Sequence, residues 1–131
     1  MALPITSIYT ALFAIMMVPL SLSVSMHYLK TGTSQATPDV LKNDETLRRK
    51  TRAHGNFIEY VPTALILLGL LELSAANPIV LWVGGGAFVF ARIIHAIGQL
   101  YTDTPALRAM GMIIGHFYFL LGAMYLIVLN M

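Results

Sequence analysis

The sequence predicts an all-α integral membrane protein that folds as one four-helix bundle. Of its 131 residues, 57% are hydrophobic and only 11% are charged, whereas soluble domains carry about 25% charged residues. The mean hydropathy is +0.75. Four apolar segments are long enough, at about 1.5 Å per residue, to cross a hydrocarbon core about 30 Å thick. The length fits a single domain over residues 1–131.

The predicted helices span about residues 4–29, 44–73, 78–100 and 105–129. The first is interpreted as a retained membrane helix, because it lacks the basic start and the small-residue cleavage site of a signal peptide. Asn77 and Thr104 each precede a proline, a pattern typical of a capping residue followed by the first helical position. Thr37 repeats the pattern and predicts that helix two is extended outside the bilayer.

The connections between the predicted helices differ in length. Helices two, three and four are joined by tight turns and should be antiparallel neighbours, whereas residues 30–47 form a long polar loop. Most of the basic residues lie in or beside this loop, namely Lys30, Lys42, Arg48, Arg49, Lys50 and Arg52. The positive-inside rule therefore places the 30–47 loop and the 102–104 turn in the cytoplasm, and both termini on the opposite side.

Glycines are grouped where helices could approach each other closely. The run GGGA covers residues 84–87, and Gly111 and Gly115 lie one turn apart on helix four. Small residues allow close helix packing in membranes, within one chain or between copies. The same grouping is also compatible with the general frequency of glycine in membrane helices.

Several classes of function are disfavoured by composition. The chain has no cysteine, so any thiol chemistry would have to come from a ligand. His27, His54 and His116 share no metal-ligand spacing, and no metal is expected. The basic run RRKTR at residues 48–52 adjoins a membrane helix and is interpreted as a topology signal, so no nucleic-acid partner is expected.

Polar side chains form two stripes on the predicted helices. Arg52, Asn56 and Glu59 have the spacing i, i+4, i+7, which places them on one side of helix two. Helix three carries a second stripe at i, i+3, i+7, and helix four begins with a further arginine on the same side of the membrane; these residues are Arg92, His95, Gln99 and Arg108.

Charged groups in lipid are costly, roughly 2.5 to 3.5 kcal/mol each near the centre of a span. Glu59 and Arg92 are therefore expected to face protein or water. One interpretation is a buried ion pair between them that fixes the register of two helices. The other is a polar cavity with more cations than carboxylates, which would suit an anionic ligand.

The segments RAHGNFIEYVP, FARIIHAIGQL and TPALRAMG, in this order, resemble the MAPEG family, the membrane-associated proteins of eicosanoid and glutathione metabolism. The resemblance covers nearly the whole chain after residue 45 and is strongest to short bacterial members. It implies a homotrimer in a bacterial inner membrane, surrounded by membrane lipids. It also implies that glutathione binds near the cytoplasmic face between neighbouring subunits.

The resemblance also implies roles for individual residues. Arg108 matches the arginine that stabilises the glutathione thiolate in catalytic members, and Lys30 is implied to reach a neighbour's ligand. Gln99 is expected to line the site, although several eicosanoid-type members have tyrosine there, which argues against eicosanoid synthesis. The remaining implied glutathione ligands are Arg52, Asn56, Glu59, Tyr60, Arg92 and His95.

The function implied by the resemblance is that of a glutathione transferase or peroxidase. Its second substrate would be a hydrophobic electrophile or a lipid hydroperoxide. A non-catalytic relative that binds lipid or glutathione remains an alternative, because one fold can host unrelated functions. A more remote alternative is a small proton-coupled transporter that uses Glu59.

Overall fold

The computed structural model describes residues 2–33, 35–103 and 105–131, and all regular secondary structure in these ranges is helical. The helices are α1 (Pro4–Thr31), α2 (Pro38–Asn43), α3 (Glu45–Leu73), α4 (Pro78–Tyr101) and α5 (Ala106–Asn130). All except α2 are long and apolar enough to cross a membrane. The predicted all-α fold with four membrane-length helices is confirmed.

Two of the three predicted helix caps are present. The Oδ1 atom of Asn77 accepts a 2.9 Å hydrogen bond from the Ile79 amide at the start of α4. The Thr37 hydroxyl accepts a longer bond of 3.4 Å from the Val40 amide at the start of α2. The third predicted cap, Thr104, lies outside the described residues.

Asp44 separates α2 from α3. Its backbone is non-helical, with φ −121° and ψ 89°, and its carboxylate accepts a 2.8 Å hydrogen bond from the Leu47 amide. That bond, followed by the contact with His27, lowers the pKa of the Asp44 carboxyl. The predicted extension of helix two from Thr37 is therefore wrong, because the Asp44 cap ends α2 and starts α3 as a separate helix. The segment predicted as a loop contains α2.

The bundle is organised around α3, which contacts all four of the other helices in the described part of the chain. In that same part, α1 packs against α3 and α4 but makes no contact with α5. Phe13 of α1 meets Phe57 of α3 at 6.0 Å and Phe88 of α4 at 5.7 Å between ring centroids, both edge-to-face. These three buried rings form the centre of the core.

Three of the grouped glycines lie at close approaches within one chain. A Cβ atom on Gly85 would lie 2.3 Å from the Tyr9 ring, one on Gly111 would lie 2.6 Å from the Ala91 carbonyl oxygen, and one on Gly115 would lie 2.7 Å from Arg92. Close packing at these positions is confirmed. Gly115 and Gly111 leave room for the side chains of two predicted site residues, Arg92 and His95 respectively.

Acidic groups attach α1 to the rest of the bundle at both of its ends. At its start, the Glu72 carboxylate accepts hydrogen bonds from the Ile5 amide at 2.9 Å and from the Thr6 amide at 2.8 Å. It also accepts one from the Thr6 hydroxyl at 2.6 Å. At the other end of α1, Nε2 of His27 lies 2.6 Å from Oδ2 of Asp44. The register of α1 against α3 is thereby fixed.

Candidate functional site

A polar cleft of about 200 Å³ opens at one end of the bundle. This is the end where α1 and α4 finish and where α3 and α5 begin, and it is called the basic end below. Three predicted site residues, Arg52, Gln99 and Arg108, line the cleft together. The rest of its lining consists of Glu45, Arg48, Arg49, Thr102 and Asp103.

The two carboxylates of the cleft are already paired. Glu45 forms ion pairs with Arg48 and Arg49, the second at 2.9 Å. Arg49 also pairs with Asp103 and donates a 3.0 Å hydrogen bond to the Thr102 carbonyl oxygen. These contacts bridge the start of α3 to the end of α4.

Among the described residues, two cations of the cleft lack such partners. Within the described residues, the guanidinium groups of Arg52 and Arg108 form neither a hydrogen bond nor an ion pair. Arg52 is exposed and Arg108 is half-buried. The cleft therefore presents uncompensated positive charge, which is the electrostatic condition for binding an anion.

Arg92 lies behind the cleft, in a separate buried cluster. Its side chain is only 2% exposed. Nη1 donates a 2.8 Å hydrogen bond to Oδ1 of Asn56, and Nη2 donates one of the same length to the Gly111 carbonyl oxygen. The guanidinium carbon lies 5.1 Å from the centroids of the Tyr60 and Phe88 rings. In the described part of the chain, Nε of Arg92 has no hydrogen-bond partner.

Glu59 does not pair with Arg92. It is exposed on the surface of the chain, and it forms no ion pair or hydrogen bond with the described residues. The interpretation of Glu59 and Arg92 as a buried ion pair is therefore wrong. On a helix with about 100° per residue, Asn56 and Tyr60 are rotated about 40° and 80° from Arg52, toward Arg92. Glu59 is rotated about 20° from Arg52 in the opposite sense, away from the core. The predicted stripe on α3 is therefore divided between an inner face and an outer face.

His95 and Lys30 stand apart from the cleft. The buried His95 ring places Nδ1 3.1 Å from the Arg108 carbonyl oxygen, so it links α4 to the first turn of α5. Lys30 is exposed at the end of α1 and does not line the cleft. The structure of one chain thus brings Arg52, Gln99 and Arg108 together, gathers Asn56, Tyr60 and Arg92 beside them, and leaves Glu59 and Lys30 on the surface.

The ion pairs that frame the cleft are not among the features predicted from the sequence. The basic run predicts a topology signal for Arg48 and Arg49, although their spacing from Glu45, i+3 and i+4, is typical of ion pairs on one helix. Gly98 is not among the predicted residues either. A Cβ atom there would lie 2.8 Å from Leu107, so this glycine lets α5 begin beside α4.

A larger, apolar hollow of about 810 Å³ lies between α3, α4 and α5 toward the opposite end. Its lining includes Ile114, Phe117, Leu121 and Tyr125 of α5. Along α5 these residues lie roughly 9 to 25 Å beyond Arg108. The polar cleft and this apolar hollow are therefore two separate features. Within the described residues, no group of three His, Asp or Glu side chains could hold a metal ion.

Comparison with protein families gives one finding. A model of the MAPEG family matches residues 6–129 of the chain. No curated protein and no solved structure gives a match. The match covers all four membrane-length helices and the basic-end cleft. The chain therefore belongs to the MAPEG family and is an integral membrane protein of the family associated with eicosanoid and glutathione metabolism.

Proposed function

We propose that the protein binds glutathione at the basic-end cleft and uses Arg108 to stabilise its thiolate. The activated thiol would attack a hydrophobic electrophile or a lipid hydroperoxide. One observation supports this most directly. Arg52 and Arg108 share a cleft in which both carboxylates are already taken by Arg48 and Arg49. Membership of the MAPEG family favours glutathione as the anion.

The charges of the site complement those of glutathione, which has two carboxylates, one ammonium group and one thiol. The Arg52 guanidinium is suited to a carboxylate, because its planar donors match the two oxygens. The Glu59 carboxylate is suited to the ammonium group. Glu59 lies about 10 Å farther along α3 than Arg52, and an extended tripeptide spans about the same distance. One ligand could therefore reach both.

One chain supplies only part of such a site. The cleft of about 200 Å³ is smaller than the roughly 300 to 1,000 Å³ of most ligand pockets. Glu59 is exposed within a membrane-length helix, where contact with lipid would be costly. Both features are accounted for if a second copy of the chain covers this face. This supports the homotrimer that the family resemblance implies, with Lys30 reaching a neighbour's ligand.

Arg92 has a positioning role in this proposal. Because Nη1 of Arg92 donates a hydrogen bond to Oδ1 of Asn56, the orientation of the Asn56 amide is fixed. Its Nδ2 group donates a long hydrogen bond of 3.6 Å to the Met112 sulfur. An amide nitrogen has two N–H donors, so within the described residues the second one is left to donate to a peptide carbonyl of the ligand. Arg92 itself is too deeply buried to contact the ligand directly.

The expected gain in rate follows from thiol chemistry. A free thiol has a pKa of about 8.5, so it is mostly protonated at neutral pH, and the thiolate is the nucleophile. Lowering the thiol pKa by about two units would correspond to roughly 2.7 kcal/mol. In the reaction, the thiol proton leaves to solvent. The sulfur then forms a bond to the electrophilic carbon while the leaving group departs with its electron pair.

The test is the Arg108→Ala variant. Glutathione affinity, measured by calorimetry, should change little, whereas turnover of a model electrophile should fall about 100-fold. The ultraviolet absorbance of the thiolate, which we expect when glutathione is added to the parent at neutral pH, should be absent in the variant. Lys50→Ala is the control, since Lys50 lies at the same end but does not line the cleft. Equal turnover in Arg108→Ala and parent would remove Arg108 from the mechanism.

The apolar hollow favours a second candidate function. Its volume of about 810 Å³ and its apolar lining suit an acyl chain. A non-catalytic lipid-binding protein would use this hollow and would not turn over glutathione. The same experiment separates the two functions, because such a protein would show no thiolate absorbance and no turnover even in the parent. The transporter alternative has less support, since the unpaired cations of the cleft disfavour cationic cargo.

A further inference from the structure

A second hollow at the basic end lies between α2 and the first turns of α3. Its volume is about 250 Å³. The polar part of its lining contains three cations, Lys42, Arg48 and Arg52, together with Thr51. Its apolar part consists of Pro38 and Leu41. Among the described residues, no carboxylate lines it.

The charge in this hollow is only partly compensated. Arg48 pairs with Glu45, which lines the neighbouring cleft instead. Lys42 and Arg52 form no ion pair with any described residue. The Thr51 hydroxyl oxygen is buried and, within the described part of the chain, has no hydrogen-bond partner. A ligand with several acceptor oxygens and negative charge would satisfy these groups, and a phosphate has both properties.

The position of the hollow indicates where such a phosphate would come from. Thr51 and Arg52 lie in the first turns of α3, just before its apolar part enters the membrane. α2 buries none of its residues in the chain, so it lies at the surface where the span emerges. Clusters of Lys and Arg immediately outside a membrane span are typical sites for anionic lipids. Leu41 and Pro38, next to the cations, could contact the apolar part of the same lipid.

We propose that this hollow binds the phosphate of an anionic membrane phospholipid, with Lys42 as its distinctive contact. Arg48 and Arg52 also line the basic-end cleft, whereas Lys42 lines only the hollow beside α2. Lys42 therefore distinguishes lipid binding from glutathione binding. This inference does not depend on the proposed catalytic function.

The test measures lipid retention by native mass spectrometry of the full chain purified in detergent. Phosphatidylglycerol is titrated in parallel with phosphatidylcholine. The parent should retain phosphatidylglycerol preferentially, and Lys42→Gln should weaken that binding about fivefold, the effect of one surface cation. Lys42→Arg should keep the affinity of the parent for phosphatidylglycerol, because it keeps the positive charge. Lys50→Gln is the charge-matched control, because Lys50 lies at the same end outside the hollow, and its affinity should equal that of the parent.

Three results would overturn the proposal. Equal retention of the two lipids by the parent would show that the phosphatidylglycerol headgroup is not recognised. An equal loss of phosphatidylglycerol affinity in Lys50→Gln would show that the lipid responds to the general positive charge at this end of the bundle and not to a specific site. Displacement of phosphatidylglycerol from the parent by excess inorganic phosphate would show that the hollow takes free phosphate. Glutathione affinity should be unchanged in Lys42→Gln, which keeps this outcome separate from that of the Arg108 experiment.

Discussion

Nη1 of Arg92 donates a 2.8 Å hydrogen bond to Oδ1 of Asn56, which joins α4 to α3 inside the bundle. The cation is buried without a carboxylate partner in the described part of the chain. Its charge is instead stabilised by the dipoles of Asn56 and of the Gly111 carbonyl and by the faces of two aromatic rings. This arrangement makes Asn56 both a structural partner and a ligand candidate.

The contribution of that bond to stability can be tested with Asn56→Ala. The substitution leaves Nη1 of a buried guanidinium without a partner, which should cost about 1 to 3 kcal/mol. The thermal midpoint in detergent should fall accordingly. Arg52→Ala is the control on the same helix, because its exposed side chain makes no bond within the described residues; its effect should stay within about 0.5 kcal/mol. Equal midpoints for the two variants would contradict the assignment.

Glu59→Gln should weaken glutathione binding about tenfold, because a charge-assisted hydrogen bond to the ligand ammonium is replaced by a neutral one. Calorimetry measures this directly. Thermal stability should be unchanged, since Glu59 is exposed and bonds to no described residue. Asp39→Asn serves as the control, because Asp39 is exposed on α2 and does not line the cleft. An unchanged glutathione affinity in Glu59→Gln would remove Glu59 from the site.

Gly85→Ala should destabilise the bundle by about 1 to 3 kcal/mol through overpacking. The new Cβ atom would lie 2.3 Å from the Tyr9 ring, which is buried and is fixed by a 2.6 Å hydrogen bond to the Trp82 carbonyl oxygen. Gly84→Ala is a matched control on the adjacent residue, where the nearest contact would be an ordinary 3.6 Å. That variant should be neutral or stabilised by up to about 1 kcal/mol. The same loss in both would show that the Tyr9 contact is not the cause, because helix propensity favours alanine over glycine at both positions.

Glu72→Gln should loosen the start of α1. The carboxylate accepts three hydrogen bonds there, two of them from backbone amides. The variant has one acceptor oxygen fewer and no charge, so about 1 to 3 kcal/mol should be lost. Hydrogen exchange at the Ile5 and Thr6 amides should accelerate. Glu45→Gln removes a carboxylate of exposed ion pairs and should leave this exchange unaffected. Unchanged protection in Glu72→Gln would show that α1 is held by its apolar contacts alone.

The four membrane-length helices and the residues at the mouth of the cleft could be predicted from the sequence. Hydropathy predicts α1, α3, α4 and α5 because membrane helices must be continuously apolar, and the cap at Asn77 is a local signal that needs no tertiary contact. Arg52, Gln99 and Arg108 could be grouped because each lies near a helix end on the same side.

The partner of Arg92 could not be predicted in the same way. A spacing of i, i+4, i+7 places residues on one side of a helix, but the rotation of α3 decides whether Asn56 or Glu59 faces inward. That rotation is set by packing against the other helices. The break at Asp44 was also missed, since Asp44 can continue a polar helix or cap a new one, and its contacts with Leu47 and His27 decide between them.

The attachment of α1 at both of its ends restricts how this bundle can move. Sliding α1 by one helical turn, about 5.4 Å, would break the bonds of Glu72 and of His27 at the same moment. α1 and α3 should therefore move as one rigid unit, and the depth of α1 in the bilayer is set by α3. α5 makes no contact with α1 in the described chain. Motions that widen the bundle should therefore displace α5, which carries Arg108, relative to α1 and α3.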